Sequence, residues 1–426
     1  MQASILNAFL HSFLFFHLGM LWLAPDCQAP STNPESITVE DARERVKKST
    51  LKMGLSLNIT KIDPEVATVL SNTQGLLSLN GLRTIDAESA RALTSTSGMS
   101  VELNGLVEIT PQVAAGLARS SYLRLNALKP GSEVIRELGN RSGALQLNAI
   151  DFLDVESATH LVKHASPLSL NGVKSVSFEV AQVLAASGAL ISMEGLEELS
   201  VDSQEEFAKH TGGWRFQSLR SLRSTMLAEN LAGQEVGVAL PKLEDVSIDC
   251  LSILATSKWF VSLGIRELTV EQAQSLSRCN SRLSLTRIPR LTKEQIDILL
   301  QCPAKLEFPG LSELLDARLA ERLAKDASRM LRIEQVESLS GEAAAAIATG
   351  KHIIPLPKLR SLDSMVASAL ARHRGHIILS GLKEMSDEHA ELFAARDGSL
   401  YLSSGIVISD QARQRLESNK KIKWKK

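Results

Sequence analysis

A period of about 23 residues runs through most of this chain and decides what it can fold into. Equivalent apolar positions fall at Leu55, Leu77, Val101, Leu123, Leu145, Leu168, Ile191, Trp214, Val238, Val261, Leu283, Leu306, Leu331, Ile353, Ile377 and Leu400. These sixteen starts have a mean spacing of 23, with single steps of 22 to 25. Random placement of apolar residues would not hold that register. The unit is clearest at Leu77–Leu93, LSLNGLRTIDAESARAL. Leu77 and Leu79 alternate with Ser78 and Asn80, which predicts a short strand. Asn80-Gly81 predicts a turn using φ > 0, a conformation both residues tolerate. Leu82 and Ile85 return to the core, and Asp86 opens a helix whose Ala90 and Leu93 face the same core. One strand, one turn and one helix cannot bury their own apolar faces, so the unit must stack on copies of itself. Low aromatic content, 4% against 44% hydrophobic overall, fits thin aliphatic layers of that kind.

The helical half repeats as faithfully as the strand. Asp63, Asp86, Thr110, Asp154, Ser177, Thr269, Thr292, Ser340, Asp363 and Ser386 stand where a side-chain oxygen can accept from the free N–H groups of a first helical turn. Pro64 and Pro111 follow two of these caps, where a missing N–H costs nothing. Glu65, Glu88, Glu156 and Glu271 sit in first turns, where negative charge suits the helix dipole. Alanine recurs at Ala67, Ala90, Ala114, Ala158, Ala181, Ala273, Ala344, Ala367 and Ala390, a small residue that lets each helix lie close to the sheet. The recurrence of acids at every helix start favours capping over catalysis.

The chain divides into four parts. Residues 1–29 are apolar from Ile5 to Ala24 and end in Cys27-Gln28-Ala29, which reads as a signal peptide. No Lys or Arg precedes Arg43, so a membrane anchor formed by residues 5–24 is the alternative. Residues 30–54 are a linker and a cap helix over 38–48, needed because an end repeat otherwise exposes a bare apolar face. Residues 55–416 hold about sixteen repeats, blurred at 199–260, where Trp214 and Phe216 replace the usual leucines and Trp259-Phe260 closes the region. That region is either a functional loop or drift. Residues 417–426 form a basic tail, expected to be a solvated end. Cys250, Cys279 and Cys302 are too widely spaced for a disulfide framework and fit small buried positions.

At Leu77–Leu93 the pattern LxLNGLxxIxxxxAxxL resembles the leucine-rich repeat, and within it the cysteine-containing type, LxLxxCxxITDxxLxxL. Leu82 stands in place of the cysteine, Ile85 in place of Ile, and Ala90 and Leu93 in place of the helix-facing pair. The unit is shorter than that type's usual length. Its Asn follows the second strand leucine directly, two positions before the asparagine of ordinary leucine-rich repeats, so the usual ladder role is not carried over. The resemblance implies an α/β solenoid: a curved stack with short parallel strands on the concave side and helices on the convex side. It also implies protein recognition on the concave face. Degenerate repeat arrays in exported bacterial proteins are similar.

Catalytic motifs are missing: the sequence holds no G-x-x-x-x-G-K-[ST], G-x-S-x-G, H-E-x-x-H or Cys-x-x-Cys. A non-enzymatic role without cofactor or metal is the expectation. His160 and His164, four apart, have ligand spacing. However, His164, His210 and His373 all fall at helix ends, where a partly positive imidazole suits the dipole. The candidate partner-binding residues are Asn80, Asn104, Asn126, Asn148 and Asn171, with Glu102, Arg124 and Gln146 beside them. The asparagines either form turns or present a polar strip on the concave face. A net charge of −1 supplies no global field for nucleic acid or anionic membranes. The expectation is an exported scaffold (periplasmic, cell-surface or extracellular) binding a protein partner, compatible with a monomer and without a membrane span after processing. A structural cell-envelope component and an intracellular adaptor are the alternatives.

Overall fold

The computed structural model describes residues 35–426 except Lys52, Ser97 and Lys426, so the apolar leader and its signal or anchor reading lie outside the described residues. From Leu55 onward the chain alternates short strands with short helices. Every strand pair is parallel, and the register matches equivalent leucines: Leu55 faces Leu77, Leu77 faces Val101, and so on to Ile191 against Trp214. This eight-stranded sheet is followed by four-stranded sheets starting at Val238 and at Ile354. Strands lie ~4.8 Å apart, whereas packed helices need roughly 8–10 Å, so the stack bends with its strands inside.

Local chemistry makes the helices. All ten capping residues named above accept from a backbone N–H of the first turn, for example Val66 N to Asp63 Oδ1 at 2.8 Å. All nine alanines are fully buried. A larger side chain at that site would push its helix off the sheet.

The turn after the strand departs from expectation. Among the described residues no residue other than glycine has positive φ, and Gly81 is not one of the glycines that do. Leu82 N–H donates to Leu79 O at 3.0 Å, closing a turn of ordinary hand. Glycine is required there by close approach: a Cβ on Gly195 would lie 2.0 Å from Asn171 O of the preceding repeat.

The sheet is interrupted twice, between Arg215 and Val238 and between Glu307 and Ile354. Both gaps hold a long step, 24 residues from Trp214 and 25 from Leu306. Their helices, Thr225–Gly233 and Ala317–Asp326, have 9 and 10 residues, against 7 or 8 for most others. The extra residues enter the helix, and pairing lapses on the strand side. A second, outer line of strand pairs spans both gaps, Ser221–Leu222 with Asp245–Val246 and Glu313–Leu314 with Ser338–Leu339. One strand start shifts by a residue: Ile354, not Ile353, pairs with Ile377.

The first part of the irregular region, around Gln204 to Phe216, is packed core rather than a loop. Phe207, Trp214 and Phe216 are buried and stacked, with centroids 4.2 to 5.9 Å apart. Buried Gln204 stands at the alanine position and reaches into the next repeat. Its Oε1 accepts from Arg223 and Ser224 N–H at 2.9 and 3.1 Å, and its Nε2 donates to Leu199 O and Ser221 O.

The basic tail also differs from a solvated end. Ile422–Lys425 is a strand paired with Leu400–Ser403, and Arg413 stacks on Trp424. Its lysines line the outer strand of this sheet, where charge discourages pairing with another chain. At the other end the helix Val39–Lys48 packs on the helix Pro64–Leu70.

Candidate functional site

The parallel register places one residue of each repeat on the inner face of the sheet. Ser78, Glu102, Arg124, Gln146, Ser169, Ser192 and Arg215 form one such row, and Leu76, Ser100, Tyr122 and Ala144 the row before it. Bending crowds these side chains: Glu102 and Gln146 are only 8% and 7% exposed. Three of the candidate residues meet around one that the sequence reading passed over, Tyr122. Arg124 pairs with Glu102 through Nη1 and bonds the Tyr122 hydroxyl through Nε. Its guanidinium lies 4.9 Å from the Tyr122 ring centroid. Gln146 Nε2 donates to the same hydroxyl at 2.8 Å. Burial raises the Tyr122 pKa, so the hydroxyl keeps its proton. Tyrosine and arginine are the residue types that most often anchor interfaces. Tyr122 escaped notice because it stands one position before the repeat's first leucine.

The asparagines do something else. Asn80 Oδ1 accepts from Asn104 N–H, Asn104 Oδ1 from Asn126 N–H, Asn148 Oδ1 from Asn171 N–H, and Asn171 Oδ1 from Glu194 N–H, each at 3.0 Å. This is an asparagine ladder joining successive repeats, at a position where the family comparison did not place one. The carbonyl oxygens of these four asparagines thus join neighbouring repeats rather than shaping a local turn. The step from Asn126 is missing, and Asn126 Oδ1 is buried without a partner.

A second ladder runs along the helix ends. Buried Arg141 donates to Ala144 O and Ser120 O, and His164 Nδ1 lies 3.0 Å from Arg141 O. Farther along, buried Arg396 donates to His373 O and Gly375 O, and Asn419 to Ala394 O and Arg396 O. These side chains satisfy carbonyls left over where helices end. Burial, reinforced by Arg141, lowers the His164 pKa to about 4, and burial also lowers that of His210. Both imidazoles are therefore neutral near pH 7. The expected positive imidazole on a helix dipole does not hold for them. His160 turns instead toward Glu156, 4.0 Å away. Among the described residues no group of three His, Cys, Asp or Glu side chains is placed to hold a metal ion. Cys250, Cys279 and Cys302 are free and buried, and Cys302 Sγ lies 3.4 Å from Cys279 O.

Charge is sorted between the two edges of the stack. At the edge where strands turn into helices, Lys129, Asp151, Lys174, Glu197, Arg220, Glu244 and Arg266 alternate in sign at one position of seven successive repeats. Arg220 bridges Glu197 and Glu244 at 3.1 and 3.6 Å, so that edge neutralises itself.

The molecule is a leucine-rich-repeat-like α/β solenoid, a class defined by its own strand register. No family model matches the chain, and no curated protein does. Among solved structures it is similar to a leucine-rich-repeat protein of Leptospira interrogans, at 14% identity and TM-score 0.48, covering 93% of this chain and all of that one. It is also similar to TLR13 in its complex with ssRNA13, at 13% identity and TM-score 0.49, over 91% of this chain and 63% of that one. An internalin of Listeria monocytogenes aligns over 91% of this chain and 88% of its own at 14% identity, with TM-score 0.29. Likenesses this distant speak at most to fold. Among the described residues no helix is long and apolar enough to cross a membrane.

Proposed function

We propose that this is a non-enzymatic, exported recognition scaffold that binds a protein partner through the inner face of its strands. The observation that carries the reading is the cluster of Glu102, Tyr122, Arg124 and Gln146. Its side chains are held by one another before any partner arrives, which lowers the ordering cost of binding. Asn80, Asn104, Asn126, Asn148 and Asn171 stand two positions beyond this row along the chain and serve the reading by joining the repeats that carry it. The test is capture of partners on the immobilised chain, compared with Arg124→Ala. Loss of one partner at an unchanged melting temperature supports the reading. Equal capture by both proteins, with the partner retained, overturns it.

A further inference from the structure

We propose that the edge of the stack where helices hand over to strands, from Thr256 to His376, seats the protein on an anionic lipid bilayer. Six successive repeats turn at this edge through TSKWF, SRCNSR, LQCPAK, ASRM, ATGKHI and RHRGH. Those turns carry eight Lys or Arg and no Asp or Glu. All eight cations are exposed. Arg282 is paired with Glu307 on the neighbouring strand, and the field of Arg374 reaches Asp397, whose carboxyl is held low chiefly by Lys421. Lys258, Arg278, Lys305, Arg329, Lys351 and Arg372 make no ion pair among the described residues.

Complementing helix dipoles does not account for this. The same edge of the first eight repeats has the same helix ends, yet three of its turns, SNTQG, TSTSGM and ASGAL, hold no cation at all. In the other turns of that edge the exposed cations among the described residues are Arg119, Lys163 and Lys209, and Lys209 is neutralised by Glu206 at 2.6 Å. The positive run is therefore a property of one region rather than of the repeat. A net charge of −1 conceals it, because the opposite ends of the same helices hold first-turn acids such as Glu271, Glu294 and Glu342.

A bilayer fits better than a soluble polyanion because apolar side chains stand among the cations. Trp259 is 55% exposed, and Phe260 and Met330 are more than a third exposed. At the same edge Leu51 and Met53 protrude from the turn before the first strand. Tryptophan beside lysine and arginine suits the headgroup layer, where the ring is half-dissolved and the cations meet phosphates. Register puts the first three of these turns side by side, and likewise the last three, so a flat surface can meet several of them together. The proposal is independent of the inner-face cluster, which lies on the sheet.

The test is sedimentation of the full chain with phosphatidylcholine vesicles, with and without phosphatidylglycerol. Binding should need the anionic lipid and weaken with salt. Combining Lys305→Glu, Arg329→Glu, Lys351→Glu and Arg372→Glu should weaken partitioning by about a hundredfold or more. The variant keeps residues 5–24, so the difference isolates this edge. If it fails to fold, Lys258→Gln with Lys305→Gln and Lys351→Gln should still weaken binding by about tenfold or more. Trp259→Ala should weaken binding while leaving its salt dependence unchanged. Equal binding to neutral vesicles, or unchanged binding by the folded charge variants, overturns the proposal. So does binding to heparin or single-stranded DNA with none to vesicles.

Discussion

The first eight repeats and the repeats after Val238 are built from the same unit but finished differently. The first block has one continuous sheet, an asparagine ladder and a turn edge with few exposed cations. In the second block the ladder position is filled by Pro241, Gly264, Thr286, Pro309, Glu334, Pro357, Ser380 and Ser403, none of them asparagine, the sheet is broken, and the turn edge is basic. Proline and glycine have no side-chain oxygen to offer the next strand. Backbone pairing and the outer strand pairs take up part of that task. The lesson is that the core of a stacked unit is strict, while the means of joining neighbours can change along one chain.

Four experiments would break or sharpen this contrast. The largest effect should come from acid. The His164 pKa lies below its ordinary 6.5, at about 4, so the folded state favours the neutral ring. Its stability contribution is complete above about pH 6.5 and is lost as pH falls towards 4, roughly 3 kcal/mol in all. Urea unfolding followed through that window should show the loss, and His164→Gln should flatten it. An unaltered slope in the variant would remove His164 as the cause.

Ala181→Leu should come next, costing about 1–3 kcal/mol by overpacking a fully buried position. A thermal midpoint equal to wild type would contradict the close helix–sheet packing described above. Asn104→Ala removes the acceptor for Asn126 N–H and should cost about 1–2 kcal/mol. Thr286→Val, at the matching position of the second block, loses only a donor to Leu263 O and should cost less, about 0.5 kcal/mol. Equal losses in denaturant melts would mean that the ladder does not distinguish the blocks. The smallest effect should follow Arg220→Ala, about 0.5 kcal/mol, because its ion pairs are solvent-exposed and screened. High salt should erase it.

Much of the fold was legible because its determinants are local. Asp86 caps the helix that starts one residue later, and Ala90 lies on that helix's buried face. Part of the candidate site was legible too: Glu102, Arg124 and Gln146 do gather at one place. Tyr122, which joins Arg124 to Gln146, was not recognised. The asparagines were noticed as a series, but their role was not, since Asn80 bonds a backbone 24 residues away.

What the sequence determined by itself was the repeating layer: its period, its caps and its apolar faces, each set by interactions within about ten residues. Only the tertiary structure decided which atoms of neighbouring layers meet. That register turned Asn80 into a strut and left His164 neutral against Arg141. It also drew Ile422–Lys425 into the sheet and gathered cations from six separate turns onto one edge. Hydrogen-bond partners, desolvation and summed charge depend on distance in space, and spacing along the chain does not specify it.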